Sequence, residues 1–175
     1  MSELQTVRIR PFTEADAEEL CAAVRESYAE ISPWMVWCVP DYSLEHAATF
    51  IRTTIDGRAN GSAYEFAVLD ARGALAAVCG VNQVNKVDGF ANLGYWCRTS
   101  LSGRGFAPAA VRAVAAWTFA NTDLNRLEIV AAIGNSKSQR VAEKAGAFRE
   151  AVLRDRMKVG GIATDAVMYS LVRSK

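Results

Sequence analysis

The 175 residues include a single histidine, His46, and four cysteines, Cys21, Cys38, Cys79 and Cys97, with no C-x-x-C pair among them. That scarcity excludes the usual metal-site and disulfide-framework patterns, and the cysteines read as small buried hydrophobes. Net charge is also nearly absent: 20 Lys+Arg against 19 Asp+Glu leave +1, with no run of like charges to follow a phosphate backbone or an anionic membrane. Direct nucleic-acid binding is therefore not expected. No apolar run approaches the roughly 18 to 20 residues of a membrane span, and the opening "MSELQTVRIR" lacks the charged-then-apolar order of a signal peptide. The expectation is a cytoplasmic protein with no membrane partner.

What is present is a core-forming composition, 51% apolar and 22% charged, which suits one globular domain over residues 1–175. "TVRIR" (6–10) alternates as a strand, and Thr13 with Asp16 resembles a capping box opening a helix to about Ala29. Residues 31–42, "ISPWMVWCVPDY", break the periodicity. Ser43 then caps a helix to about Asp56, which "DGRANGS" ends with turn residues. "YEFAVLD" and "ALAAVCGVNQV" flank a hairpin turn, and "FANLGYWCR" adds a third antiparallel strand. A helix over about 105–120 buries a stripe of Ala107, Ala110, Val111, Val114 and Trp117 or Thr118, before the strand "RLEIVAAI". Strand, crossover helix and strand make one parallel pair in an otherwise antiparallel sheet. A helix at about 136–145 and a hairpin turning at Gly160-Gly161 complete the chain. The fold class expected is α+β, a mixed, mostly antiparallel sheet with helices on both faces.

The stretch "SLSGRGFAPAAVRAVAAWTF" (100–119) places two glycines ahead of the crossover helix. Amides at a helix start are unsatisfied and lie at the positive end of the macrodipole, so Gly103 and Gly105 can admit a phosphate. A strand-to-helix turn with glycines for tight packing reads equally well from the pair alone. A dinucleotide fingerprint is not met, because the next strand ends in "AAIGN" without a carboxylate, and no G-K-[ST] follows for a Walker loop.

Together with "RLEIVAAIGNSKSQRVAEKAGAFREAVLR", "LGYWCRTSLSGRGFAPAAV" resembles the Gcn5-related N-acetyltransferases (GNAT), in their RimJ/RimL-type ribosomal-protein branch. The likeness is strongest over about 91–154, while "SPWMVW" and "HAATFI" echo the branch's acceptor-side segment. It implies a GNAT-like acyl-coenzyme-A N-acyltransferase fold. It also implies an acetyl-coenzyme-A-dependent N-acetyltransferase with no metal. The family loop Q/R-x-x-G-x-G/A maps onto Ser102, Gly103, Arg104, Gly105, Phe106 and Ala107, with serine replacing the long first side chain. By the same resemblance, backbone groups of Tyr95 and Cys97 hold the pantetheine arm and Asn135 contacts its amide.

Acyl transfer to an amine needs a neutral nucleophile, a polarised carbonyl and a proton for the departing thiolate. The tyrosine that serves as proton donor in many relatives falls on Ala142 here, whereas the branch pattern N-x-x-S places Ser138 at the coenzyme A sulfur. Glu150 matches an acidic position of the branch and stands as the candidate base acting through water; a surface strand carboxylate is the alternative. Ala147 and Ala151 depart from the branch's phenylalanine and glycine, beside the expected acceptor side. Cys97 lacks an activating partner, so an acyl-cysteine is not expected.

Trp34 and Trp37 lie in the aperiodic segment, as candidate acceptor-side walls or loop anchors. The acceptor expected is an amine, with a protein N-terminal α-amine ahead of a small or antibiotic-like amine. A non-catalytic acyl-coenzyme-A-binding module is the reading from another class. The residues leave the oligomeric state open, with a homodimer carried as an expectation.

Overall fold

The alternating strands and striped helices of the sequence assemble into a seven-stranded sheet of order β1-β2-β3-β4-β5-β7-β6 in the computed structural model, which describes residues 6–174. The segment Met1–Gln5, within the opening stretch inspected for a leader, lies outside the described residues. The elements run β1 (Arg8–Pro11), α1 (Ala17–Ile31), α2 (Leu44–Asn60), β2 (Tyr64–Leu69), β3 (Leu75–Asn85), β4 (Phe90–Cys97), α3 (Phe106–Asn121), β5 (Arg126–Ala132), α4 (Ser136–Lys144), β6 (Phe148–Val159) and β7 (Ile162–Val172).

Alternation along the strands divides the core in two. Phe66, Val68, Cys79, Val81 and Leu93 face one side and pack with Ala110, Val111 and Val114 of α3 and Ala142 of α4. Ala67, Val78 and Trp96 face the other and pack with Leu20 and Val24 of α1 and Ala47 and Ile51 of α2. Each fully buried valine or leucine contributes about 1.5–3 kcal/mol, so the stripe on α3 fixes its rotation against the sheet. Helices thus lie on both faces, as the patterning implies.

Two boundaries differ from the sequence expectation. Thr13 and Asp16 do pair, the Thr13 amide donating to Asp16 Oδ2 at 2.7 Å, but they open a short 3-10 turn, Glu14–Asp16, that leads into α1. The second helix runs past Gly57 to Asn60, because Gly57 is buried against Ala63 and the helix ends only at Gly61. Turn residues in "DGRANGS" were outweighed there by packing.

What positions the site is the end of one strand pairing. β4 and β5 are parallel only over Phe90↔Arg126, Ala91↔Leu127 and Asn92↔Glu128. Beyond that point β4 stays paired to β3 as far as Ala77↔Cys97, and β5 stays paired to β7 as far as Ala132↔Ala166. The sheet therefore splits into a V, leaving the β5-facing backbone groups of β4 from Leu93 onward without strand partners.

Candidate active site

A cleft of about 730 Å³ opens at this V. Tyr95 and Cys97 of β4, the loop residues Ser102, Gly103, Arg104 and Gly105, Phe106 and Ala107 of α3, and Asn135 and Ser138 at the start of α4 all line it. Residues placed in one site by sequence are thus brought together from four chain segments. The lining also includes Trp96, from the core under α1 and α2, and Tyr95, which packs against the core under α3 and α4. The cleft therefore reaches both faces of the sheet.

The loop owes its shape to its glycines. Gly103 and Gly105 have φ of 78° and 85°, the left-handed region that side chains disfavour. A Cβ built on Gly103 meets nothing within 4 Å, so backbone conformation and room for an incoming group, not crowding inside the chain, call for glycine there. Gly105 is the N-cap of α3, and Pro108 in the first turn has no amide to leave unsatisfied. Glu26 of α1 steadies the strand end ahead of the loop, taking the Ser100 amide at 2.9 Å and Arg98 Nε at 2.5 Å.

Cations surround this glycine turn. Arg104, Arg112, Lys137, Arg140 and Lys144 line the cleft. Lys137 is paired with Glu30 at 2.5 Å, and Arg112 donates to the Lys144 carbonyl at 2.9 Å, tying α3 to the end of α4. Sequence reading missed Arg112 and the α4 cations. The signal was there: Lys137, Arg140 and Lys144 recur at three and four residues and share one helix face. A pyrophosphate-bearing, adenine-nucleotide-type cosubstrate fits this set of amides and cations.

At the inner end, Asn135 caps α4 by accepting the Ser138 amide at 3.0 Å. The Tyr95 hydroxyl lies 2.8 Å from the Ser138 carbonyl oxygen and 3.0 Å from Ser138 Oγ. Burial pushes the Tyr95 phenol above its usual range, so it stays protonated at neutral pH. Burial also raises the Cys97 thiol to about 11. That thiol donates weakly to Ala76 and Arg98 carbonyls at 3.5 and 3.6 Å, an environment opposite to that of an activated nucleophile.

Two expected site residues lie elsewhere. Glu150 sits on β6, outside the cleft lining, where its carboxylate takes Arg126 Nη1 and Nη2 at 2.7 and 2.5 Å and the Ser170 hydroxyl at 2.6 Å. Arg126 first, and Ser170 second, hold its pKa down to about 2. So anchored, it is a poor base, and the alternative reading as a strand carboxylate fits its position. Trp37 is likewise outside the lining, 43% exposed, with its ring 6.2 Å from that of Trp96 and 6.0 Å from that of Tyr42. Trp34 does line the cleft, its ring edge approaching Gly134. Ala147 is buried in the core and Ala151 pairs with Met168; neither touches the cleft.

Among the described residues no cluster of histidine, cysteine or acidic side chains is arranged to hold a metal, and no helix is long and apolar enough to cross a membrane.

The family model for the acetyltransferase (GNAT) domain matches residues 6–147. A Bacillus subtilis (strain 168) protein named "Putative ribosomal N-acetyltransferase YdaF" is 27% identical over 180 residues, covering 95% of this chain and 91% of its own. RimL, the ribosomal L7/L12 α-N-protein acetyltransferase crystallised with coenzyme A, superposes with a TM-score of 0.88 at 20% identity, covering 98% of this chain and 97% of that one. The microcin C7 self-immunity acetyltransferase MccE, crystallised with acetyl-CoA and AMP, gives 0.87 at 21%, over 95% and 92% of the two chains. At those identities the two structures speak for the fold.

Proposed function

Since the chain belongs to the acetyltransferase (GNAT) domain family and its cosubstrate is acetyl-coenzyme A, we propose that it carries the acetyl group to the α-amine of a protein or peptide N-terminus. The observation behind the choice of amine is the absence of a base from the cleft lining among the described residues. No histidine lines it, its carboxylate Glu30 is held by Lys137, and Cys97 and Tyr95 are shifted upward. An α-amine of pKa near 7.7–8.0 is roughly 10–20% neutral at pH 7, whereas freeing a lysine amine costs about 4–5 kcal/mol. A site so lined suits the amine that arrives partly neutral. The curated relative's name, which points to ribosomal proteins, supports the same reading.

In this reading the loop amides from Gly103 to Ala107, with Ser102 and Arg104 beside them, bind the pyrophosphate, and Arg112, Arg140 and Lys144 add positive potential. The unpaired edge of β4 at Tyr95 and Cys97 hydrogen-bonds the pantetheine arm, and Asn135 orients α4 toward it. Bound acetyl-coenzyme A supplies the activated acyl group as a thioester. Ser138 donates a proton to the departing sulfur, and the Tyr95 phenol replaces it. Trp34 walls the route of the acceptor, and Trp37 stands outside the lining, beside Trp96.

Thiol release tests the reading with matched peptides, one with a free N-terminus and one N-blocked with only lysine amines, and mass spectrometry locates the acetyl group. The free peptide should react with the higher kcat/KM. Equal rates, or acetyl on lysine, would overturn the α-amine assignment. A protein that binds acetyl-coenzyme A and never releases thiol with any amine would be a binding module instead.

A further inference from the structure

The face of the sheet under α1 and α2 contains a polar hollow outside the cleft lining. Glu65 on β2, Gly80 on β3 and Gly94 on β4 stand opposite one another, with Asn82↔Asn92 as the next row and Val78↔Trp96 on the other side. The Glu65 side chain folds over the bare backbone of Gly80: a Cβ there would fall 1.8 Å from its Oε2. Glu65 Oε1 accepts the Asn82 amide at 3.0 Å, and Asn82 Oδ1 in turn accepts the Asn92 amide at 2.9 Å. Among the described residues Oε2 accepts no hydrogen bond, and Glu65 as a whole is half-buried.

Above Gly94 there is room. A Cβ on that residue would find only the Asn92 amide nitrogen, at 3.8 Å. Gly94 is the next residue on this face after Asn92, where pairing to β5 stops, so the hollow lies at the mouth of the V. Tyr95, its neighbour in sequence, points to the opposite face and meets Ser138. The Tyr95–Ser138 pair and the hollow therefore flank the opening of the V from the two faces of β4.

On the acetyltransferase reading, we infer that this hollow receives the acceptor's primary amine, with Glu65 binding the ammonium and taking its first proton. The carboxylate accepts one N–H proton. The neutral nitrogen then forms the N–C bond at the thioester carbonyl as the C–S bond breaks. The nitrogen's surplus proton goes to solvent, and the leaving thiolate takes one from Ser138, which solvent restores through Tyr95 while Glu65 gives up its own, so that amide, free thiol and one proton are the products. Burial lifts the Glu65 carboxylate above its ordinary range, against the opposing effects of the Asn82 hydrogen bond and of Arg58 on α2. A carboxylate so raised is a better proton acceptor than an exposed one, though still far better matched to an α-amine than to lysine.

Two variants test the assignment, each assayed for acceptor kcat/KM and for acetyl-coenzyme A affinity. Glu65→Gln keeps the shape and should lower kcat/KM for the amine by about 10²–10⁴-fold, leaving the Kd of acetyl-coenzyme A within about twofold. Gly94→Val fills the hollow on a strand that tolerates β-branched residues, and should raise acceptor KM at least about tenfold with the same unchanged Kd. Wild-type acceptor kinetics in either folded variant would overturn the hollow while leaving the acetyltransferase reading intact. A wild-type protein that transfers to no amine would overturn that reading, and this assignment with it.

Discussion

The Tyr95 phenol on β4 and Ser138 in the first turn of α4 meet across the gap between β4 and β5, 2.8 Å from phenol oxygen to the Ser138 carbonyl and 3.0 Å to Oγ. A phenol has one proton. When it donates to the carbonyl, the serine hydroxyl can donate to the phenol oxygen; when the serine hydroxyl turns to a thiolate, the phenol can follow. In the proposed mechanism this pair, drawn from two elements, takes the place of the acid that the sequence lacks at Ala142.

Ser138→Ala should lower kcat roughly ten- to a thousandfold with the Kd for acetyl-coenzyme A nearly unchanged. Tyr95→Phe should lower it by about tenfold, the worth of one hydrogen bond at the transition state. Rapid-quench measurement of thiol release separates this step from product release. Unchanged rates in Ser138→Ala would give the proton to water.

For the glycine loop the prediction separates folding from binding. Gly103→Val should cost about 1–2 kcal/mol of stability, the left-handed backbone penalty, because a Cβ there meets nothing within 4 Å. It should also remove the thermal stabilisation by acetyl-coenzyme A, since the methyl groups occupy the phosphate's approach. A folded variant with an undiminished thermal shift would take the loop out of the binding site.

Glu150→Gln should leave acceptor kcat/KM within about twofold, because the carboxylate is held by Arg126 and Ser170 away from the cleft. Its effect should appear in acid. The folded-state pKa of about 2 lies below the ordinary 4.5, so the stabilisation is complete above 4.5 and is lost as the pH falls toward 2. Wild type should therefore lose stability over that window more steeply than the variant, as read from urea midpoints between pH 5 and 2. A large loss of kcat/KM in the variant would restore Glu150 to the chemistry.

The two tryptophans should behave differently. Trp34 lines the cleft, so Trp34→Ala should weaken both acetyl-coenzyme A and the acceptor. Trp37 lies tilted beside Trp96, which follows Gly94 on the same face of β4, so Trp37→Ala should raise acceptor KM and leave the cosubstrate Kd within about twofold. Isothermal titration and initial rates on both variants distinguish them, and identical effects would place both side chains against one ligand.

By itself the sequence determined whatever depends on neighbours within a turn or a strand length: the stripe of α3, the Ser43 and Asn135 caps, the hairpin at Gly160-Gly161 and the glycine turn before the crossover helix. These follow from backbone sterics and a repeating apolar period, which act locally. The tertiary structure alone decided the rest. Where β4 parts from β5 depends on the twist and partners of the whole sheet, and no residue at Asn92 or Glu128 announces it. Tyr95 reaches Ser138, 43 residues away, only because that parting lets α4 close over the gap. Glu150 lost its expected role to Arg126, 24 residues back, since charge pairs form by distance in space and not along the chain. Glu65 reads as one more strand carboxylate until Gly80, on the strand paired to its own, and Gly94, one strand further, leave it room to lie across the sheet.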